Sequence, residues 1–194
     1  MLIFIWGVVI VVLAVSTVFV MRQRQLAPVS DSQKNVPLER SVFTLQIGDI
    51  VDYMGEDWVV QGTLVYNDNG YQWQEYLLQD GDRIRWLGVE EDDQVQVTWL
   101  TPTDDLEITG TPPKQLQFEG NHYRCVESGE ATMSRQGMTL NRSSKRCQYF
   151  DYRGPGRQVL TIEDWDGDIE VTIGTIIHPS ELLLLPGDGQ PVYE

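Results

Sequence analysis

The sequence predicts an all-β fold of two related antiparallel lobes, each a small barrel or sandwich, behind one N-terminal transmembrane helix. Three observations support this prediction. An uncharged apolar run opens the chain, short runs rich in Val, Ile, Thr, Tyr and Trp follow, and clusters of Gly, Asp, Asn and Pro separate them. A length of 194 residues with 41% hydrophobic side chains is enough for one domain, or two small ones, with a buried core.

The opening apolar run predicts a membrane-spanning helix. No side chain from Leu2 to Met21 is ionisable, and about 20 helical residues span roughly 30 Å, the hydrocarbon thickness of a bilayer. A cleaved signal peptide is the alternative, because residues 14–16 (Ala-Val-Ser) resemble a cleavage site. No positive side chain precedes the run, however, and the run continues past that site, so residues 1–21 are expected to remain as an anchor.

Positive charge on one side of this helix predicts its orientation. Arg22 and Arg24 follow the apolar run directly, whereas only the amino terminus precedes it. The positive-inside rule then places the N-terminus outside and the rest of the chain in the cytoplasm, at a plasma or thylakoid-type membrane. Cys125 and Cys147 are expected to be reduced there; in the opposite orientation they would be the candidates for an intramolecular disulfide.

Charge divides the rest of the chain. Residues 22–40 are polar, contain Pro and lack apolar periodicity, which is typical of a flexible linker, and they carry four basic and two acidic side chains. The predicted acidic β lobe, residues 41–110, has two basic and fifteen acidic side chains. The second lobe with its C-terminal tail, residues 111–194, has eight and twelve. A net charge of −15 opposes general nucleic-acid binding, because the chain repels phosphates.

Alternating apolar runs between turn residues predict the strands. They are expected at residues 50–53, 58–66, 72–79, 83–89 and 95–100, and then at 115–118, 122–126, 148–152, 158–162 and 169–173. Turns such as Asp80-Gly81 and Asp166-Gly167 supply residues that accept positive φ, as tight hairpins require. A Pro-containing stretch at 101–114 marks the seam between the lobes, and residues 180–185 predict a helical turn.

The pattern recurs across the seam. Residues 83–90, with their acidic tip and the following strand, resemble residues 157–163 with theirs, and residues 55–60 resemble residues 120–125. An interval of about 70 residues is long for a solenoid repeat, so it favours two related β lobes. The alternative is that any two hairpins with acidic tips look alike.

Three short motifs resemble a known family. Residues 48–51 read G-D-x-V, residues 73–78 read W-x-E-Y-x-L and residues 86–87 read W-L. In this the chain resembles a bacterial, cyanobacterial-type family of membrane-anchored domains of unknown function. The resemblance implies a β-rich fold and brings no established activity or cofactor.

The second motif contains a candidate acid. Trp73 and Glu75 alternate along a predicted strand and therefore share one face, while Tyr76 points to the other. Glu75 beside an indole could have a raised pKa suited to acid/base chemistry. The structural alternative is a buried acceptor for a backbone N–H or for Arg83 or Arg85 on the next strand. Because no His or second acid is tied to Glu75 by spacing, we favour the structural interpretation.

Two acidic turns are candidate binding surfaces. The first contains Glu90, Glu91, Asp92 and Asp93, and predicts a solvated turn or a contact for a basic partner. The second places Asp164, Asp166 and Asp168 at alternate positions, as calcium loops do. Its spacing does not match an EF-hand, so a solvated hairpin tip explains the pattern better than a metal site.

One basic cluster balances these turns. Arg135, Arg142, Lys145 and Arg146 fall in a stretch rich in Ser, Gly and Gln that predicts a long loop. The loop could contact the acidic lobe, an anionic ligand or an acidic partner, or it could simply be solvated. His122 and His178 have no Ser or Cys partner at a recognisable spacing, and no phosphate-binding loop occurs, so no catalytic residue is predicted.

Together these patterns predict a non-enzymatic, membrane-anchored binding or accessory module. Its acidic β domain is expected to meet a protein partner with a basic surface, such as part of a membrane complex, while membrane lipid contacts residues 2–21. No cofactor, nucleic acid or small-molecule ligand is expected. Two alternatives stay open: an enzyme that uses Glu75 and neighbouring carboxylates in a pocket between the lobes, and a sensor that binds a cation or polyamine on its acidic tips.

Overall fold

Eleven antiparallel strands make up the part of the chain that the computed structural model describes, residues 40–140, 145–187 and 189. The strands are β1 (Ile50–Tyr53), β2 (Glu56–Asp68), β3 (Tyr71–Asp80), β4 (Arg83–Glu91), β5 (Val95–Pro102), β6 (Gln115–Phe118), β7 (Asn121–Gly137), β8 (Arg146–Arg153), β9 (Gln158–Trp165), β10 (Asp168–Ile177) and β11 (Leu182–Leu185). The all-β prediction is therefore confirmed. The predicted anchor 1–21 and the linker 22–40, apart from Arg40, lie outside the described residues.

No helix in the described residues has both the length and the apolar character needed to cross a membrane.

Eight of the strands close into a barrel. Their order around it is β2-β3-β4-β5-β10-β9-β8-β7, and β2 pairs with β7 to complete the circle. The other three strands extend this sheet outward: β1 and then β11 continue from β2, and β6 continues from β7. Closure leaves the barrel strands without the exposed edges that an open sheet would present.

The two predicted lobes are joined in this one barrel, which corrects the expectation of a separate small barrel or sandwich in each. At one junction Val97–Pro102 of β5 pairs with Thr172–Ile177 of β10, and at the other Gly62–Asn67 of β2 pairs with Thr132–Gly137 of β7. The physical reason is that a four-stranded meander leaves two edges of unpaired N–H and C=O groups. At the two junctions the edge strands of one half supply hydrogen-bond partners for the edge strands of the other.

Both halves nevertheless follow the same succession of elements. A short outer strand and a four-stranded meander occur as β1–β5 and again as β6–β10. A register shift occurs at Gln61 in β2 and another at Val126 in β7, an interval of 65 residues (61 to 126). The same interval separates the starts of β1 and β6 (50 to 115). Duplication of the sequence itself stays a prediction.

One predicted loop and most of one predicted helical turn are strands in the structure. β7 continues to Gly137, through the stretch expected to be a loop, because its second half finds hydrogen-bond partners on β2. The helical turn expected at 180–185 is found only at its start, and the prediction is wrong for Leu182–Leu185. A 3₁₀ turn at Pro179–Glu181, capped by His178, leads into β11, because Leu182–Leu185 pairs with the open edge of β1.

Alternation along the strands separates the interior of the barrel from its outer surface. On β4, Trp86 belongs to an apolar cluster with members from both halves, which fills part of the interior, and Leu87 belongs to a cluster on the outer face of the first half. A third cluster on the outer face of the second half includes Tyr152 and Leu160, and Leu106 from the loop between β5 and β6 packs against it. The cluster that contains Trp86 gives part of the barrel interior apolar walls.

Candidate functional site

A cavity of about 90 Å³ lies inside the barrel, lined by residues of β3, β4, β5, β7, β8 and β9. One water needs roughly 10–15 Å³ of such volume, so the cavity has room for several. In its wall Tyr71 and Val126 are 36% and 46% exposed, and Glu127 is exposed as well. The cavity therefore opens to solvent beside these three side chains.

Acidic side chains dominate the wall. The lining carboxylates are Glu75 of β3, Glu90 of β4, Glu127 of β7, Asp151 of β8 and Glu163 of β9. Arg153 is the only basic side chain among the described residues that line the cavity. Both halves of the chain contribute, so the closure of the barrel is what brings these charges together.

The deepest carboxylates are held by hydrogen bonds. Glu75 is 9% exposed and its Oε2 accepts from the hydroxyl of Tyr66 at 3.3 Å. Glu163 is 6% exposed and its Oε2 accepts from Nε1 of Trp165 at 3.3 Å. Neutral donors of this kind orient a carboxylate without cancelling its charge.

Burial and mutual repulsion disfavour ionisation in the cavity. The pKa of Asp151 is raised from 3.8 to about 7. Burial is the largest cause and the charges of Glu90, Glu163 and Glu127 add to it, against a hydrogen bond from Thr161 Oγ1 at 2.8 Å, which lowers the pKa. Burial also raises the pKa of Glu90, against the opposing charge of Arg153. A cation in the cavity would relieve this repulsion.

A polar network crosses the opening. The Glu90 carboxylate accepts hydrogen bonds from the hydroxyl of Tyr71 at 3.4 Å and from the side-chain amide of Gln96. Nη2 of Arg153 in turn donates to Oε1 of Gln96 at 2.8 Å. Burial, followed by the charge of Glu90, raises the pKa of Tyr71 to about 12, so Tyr71 stays a donor at neutral pH. The network ties β3, β4, β5 and β8 together at the opening.

Aromatic rings form the wall between the opening and the deep carboxylates. Trp73 stacks on Tyr66 with ring centroids 4.8 Å apart and 2° between the planes, and meets Tyr149 edge-on at 5.1 Å. The Tyr149 hydroxyl donates to Asp68 at 2.9 Å. Trp73 is therefore held in one orientation from two sides.

The structure places the predicted second-motif residues in this site. Trp73 and Glu75 both line the cavity, and Tyr76 belongs to the outer cluster. The suggestion that Arg83 or Arg85 bonds Glu75 is wrong. Both guanidinium groups lie over the ring of Trp58, itself in the outer cluster, at 4.8 and 5.0 Å from its centroid.

The first acidic turn adjoins the cavity, and the second does not. Glu90 lines the cavity, Glu91 ends β4, and Asp92 and Asp93 follow in the turn to β5; all three of the latter are exposed. In the second turn Oδ1 of Asp164 accepts from the backbone N–H of Gly167 at 2.6 Å, so this carboxylate stabilises the hairpin. Asp166 has a φ of 60°, and Asp168 is exposed at the start of β10.

No group of three His, Cys, Asp or Glu side chains is placed to hold a metal ion, as far as the described residues extend.

The basic residues do not form the single loop that was expected. Arg135 lies in β7, and Arg146 begins β8, where its guanidinium pairs with Glu130 at 3.4 Å. Lys145 is exposed directly before β8, and Arg142 lies outside the described residues. The loop prediction fails for Arg135 and Arg146 because the paired edges of β2, β7 and β8 hold these residues in the sheet.

Sequence reasoning missed half of the cavity wall. Glu127, Asp151, Arg153 and Glu163 were not singled out. The alternation of Tyr149, Asp151 and Arg153 on one face of β8 is visible in the sequence. This alternation does not indicate a site by itself, because the sequence does not show that β8 and the strands β3 and β4 line the same interior.

The cysteines are separate from the site. Cys147 is buried, Cys125 is partly exposed, and both are free thiols. The Cys125 thiol donates to the backbone carbonyl of Glu127 at 3.2 Å, and burial raises the pKa of this thiol.

Comparison with known proteins finds relatives without assigned functions. The family model described as a domain of unknown function, DUF4178, matches residues 46–179. Uncharacterised proteins of Mycobacterium bovis and Mycobacterium tuberculosis are each 29% identical over 147 residues, covering 72% of this chain and 70% of theirs. An uncharacterised protein of Aquifex aeolicus is 25% identical over 137 residues, covering 67% and 73%. No solved structure matches the chain.

Proposed function

We propose that this chain, which belongs to the DUF4178 family of domains of unknown function, is a membrane-anchored, non-enzymatic binding module. In this proposal residues 2–21 hold the chain in the membrane with its N-terminus outside, and the cytoplasmic barrel receives a protein partner with a basic surface. The observation that carries the proposal is the acidic cavity, whose five carboxylates face one arginine. A wall of this charge attracts cationic groups and repels anionic ones.

The position of the first acidic turn supports docking at the opening. Glu90 lines the cavity, and Glu91, Asp92 and Asp93 extend the same negative surface into solvent. Charges at the rim of an interface act mainly by accelerating association, because they steer the partner before contact. The turn would therefore guide a basic partner to the cavity.

The uneven distribution of charge along the chain also supports docking of the partner on the acidic half of the barrel. Residues 41–110 carry two basic and fifteen acidic side chains, whereas residues 22–40 carry four and two. Anionic lipid would attract the linker and repel the acidic half of the barrel. That arrangement would leave the acidic turn available to a partner.

Neutralising the acidic turn is expected to slow association with the basic partner on the order of tenfold at low salt. The variant is Glu91→Gln, Asp92→Asn and Asp93→Asn together. The matched control is Asp104→Asn, Asp105→Asn and Glu107→Gln, three exposed carboxylates in the loop that follows the opposite end of β5. The partner is first captured on the full chain at low salt, and its association rate with each variant is then measured by surface plasmon resonance.

The salt dependence of the same rate completes the test. Raising the salt should slow association of the partner with the wild type and with the control. At high salt their association rates should therefore be close to that of the turn variant. Equal rates for the turn variant and the control would overturn the proposal of docking at this end of the barrel. If only lipid is recovered with the full chain at low salt, the proposal of a basic protein partner is contradicted.

An enzymatic function is the second candidate, because one observation favours it. A carboxyl group whose pKa is raised to about 7, as in Asp151, suits general acid/base catalysis near neutral pH, and Glu75 lies in the same cavity. In that case the rate of substrate turnover would change with pH as Asp151 ionises, and Asp151→Asn would abolish turnover. A binding module would show no such turnover.

A further inference from the structure

We propose that two copies of this chain associate through β11, which pairs with the β11 of the second copy in an antiparallel, two-fold arrangement. Three features of β11 support this interface: an open backbone edge, exposed leucines and the absence of charged side chains. None of the β11 residues lines the acidic cavity, so the interface is independent of the proposed partner site.

β11 is a terminal strand of the sheet. Within the described residues Leu182–Leu185 pairs only with β1. Alternate residues of an antiparallel strand bond to each neighbour, so some N–H and C=O groups of β11 point away from β1. Leu183 and Leu185 are 57% and 40% exposed on one face, whereas Leu182 and Leu184 pack against the outer cluster of the first half. An apolar edge of this kind favours pairing with another strand.

The other outer strand differs in this respect. β6 also pairs on one side only, with β7, as far as the described residues extend. Its exposed side chains are those of Gln115 and Gln117, and the exposed Lys114 directly precedes it. Polar and charged side chains, lysine above all, protect a strand edge against unwanted pairing. The structure thus has one protected and one unprotected outer strand, and β11 is the unprotected one.

The charge around β11 favours a second copy as the occupant of its edge. Two chains of net charge −15 repel each other unless their contact is close to neutral. β11 has no charged side chain, and before it Glu181 pairs with Arg157 at 3.2 Å. After it, Asp49 accepts from the N–H of Gly187 and pairs with Arg40 at 2.6 Å. A strongly charged partner would find no counter-charge here, whereas a second β11 is equally neutral.

One carboxylate near β11 carries no such pairing argument. Asp52 lies opposite Leu183 on β1, so a dimer would repeat it on the far side of both β11 strands. Three strand spacings of about 4.8 Å would then separate the two Asp52 residues by at least about 14 Å. This distance exceeds the Debye length of about 8 Å at physiological ionic strength. Their mutual repulsion is therefore largely screened.

Alternation along β11 also selects the register. Opposite residues of two paired strands direct their side chains to the same face, so the two-fold axis must pass beside one residue and not between two. An axis beside Leu184 places Leu183 of each copy opposite Leu185 of the other, and the exposed leucines then cover one another. An axis beside Leu183 would instead place Leu185 opposite the charged Glu181. The axis beside Leu184 is therefore the expected one.

Sedimentation equilibrium of the full chain in density-matched non-ionic detergent tests the interface. We expect a reversible monomer–dimer equilibrium for the wild type. Leu183→Asp and Leu185→Asp together should raise the dimer Kd at least about thirtyfold, because leucine contacts are lost and carboxylates face each other. The matched control places the same two charges at the same spacing on β6, as Gln115→Asp and Gln117→Asp, and should leave the dimer Kd unchanged.

Cysteine cross-linking in proteoliposomes tests the register and is independent of the charge variants, should these fail to fold. Leu183→Cys chains mixed with Leu185→Cys chains should form a disulfide-linked dimer under mild oxidation. Each variant alone should form little, because residues diagonal in this register lie about 7–8 Å apart, too far for a disulfide. The wild type, which retains Cys125 and Cys147, gives the background. Near-UV circular dichroism verifies the folding of every variant.

Three results would overturn this inference. A chain that stays monomeric at all concentrations would show that β11 does not pair with a second copy, whatever else covers it. An equal effect of the β11 and β6 variants on the dimer Kd would place the contact elsewhere. Cross-linking as fast in either cysteine variant alone as in the mixture would exclude the register beside Leu184. The acidic-turn variant tests the proposed function separately, so either proposal can fail without the other.

Discussion

Replacing Asp49 with alanine is expected to lower the free energy of unfolding by about 3–5 kcal/mol, because it removes one partner of a buried ion pair. Asp49 Oδ2 lies 2.6 Å from Arg40 Nε, and the two side chains are only 1% and 6% exposed. The same carboxylate accepts backbone N–H bonds from Gln46 at 2.7 Å and from Gly187 at 2.8 Å. Without Asp49 both amides lose their acceptor and the guanidinium of Arg40 loses its counter-charge.

Urea denaturation of the full chain in detergent measures this effect. Asp105→Ala is the matched control, since its side chain is exposed in the loop after β5, and it should change the free energy of unfolding by no more than about 0.5 kcal/mol. The Arg40→Ala and Asp49→Ala double variant should cost less than the sum of its single changes. If Asp49→Ala lowers the free energy of unfolding as little as the control does, the contacts of this carboxylate with Arg40, Gln46 and Gly187 do not stabilise the fold.

Replacing Asp151 with asparagine is expected to stabilise the barrel by roughly 2–4 kcal/mol at about pH 8 and by little at about pH 4. The pKa of Asp151 is about 7 in the folded barrel and 3.8 without its surroundings, so the folded state binds the extra proton between these values. Stability therefore falls as pH rises from about 4 to about 7, where the carboxyl ionises against its neighbours. Asparagine keeps an oxygen to accept from Thr161 and carries no charge.

Urea denaturation of the wild type and Asp151→Asn across this pH range gives the difference directly. Asp105→Asn serves as the control, and its difference from the wild type should stay nearly constant with pH because its carboxylate is exposed. A pH-independent difference for Asp151→Asn would contradict the burial of an ionisable acid in the cavity.

Local sequence patterns predicted the elements that depend on neighbouring residues. The bounds of β1 and β6 were predicted as the structure has them, since apolar alternation and a turn at Gly55 or Gly120 define both short strands. The G-D-x-V motif also has a local explanation. Gly48 has a φ of 86° and donates its N–H to the carbonyl of Val60, which orients Asp49 toward Arg40.

Elements that depend on distant pairing could not be predicted in this way. β7 reads as polar and irregular after Val126, and pairing with β2, 65 to 75 residues earlier in the chain (132 − 67 to 137 − 62), explains why it continues to Gly137. The same holds for β11, whose leucines look helical until β1 offers an edge. Trp73 and Glu75 were identified as a pair, but the cavity needs Asp151 and Glu163 from the other half. Closure of the barrel, rather than any local motif, creates the site.

The pKa of Asp151, measured by carbon-13 NMR of its carboxyl group in the wild type and in Glu90→Gln, tests most directly whether the barrel encloses an acidic cavity. The resonance is assigned by its absence from Asp151→Asn. We expect titration near pH 7 in the wild type and a lower pKa in Glu90→Gln, since the charge of Glu90 raises the pKa of Asp151. Titration of Asp151 near pH 4 in the wild type would contradict the burial of this carboxyl group among other carboxylates.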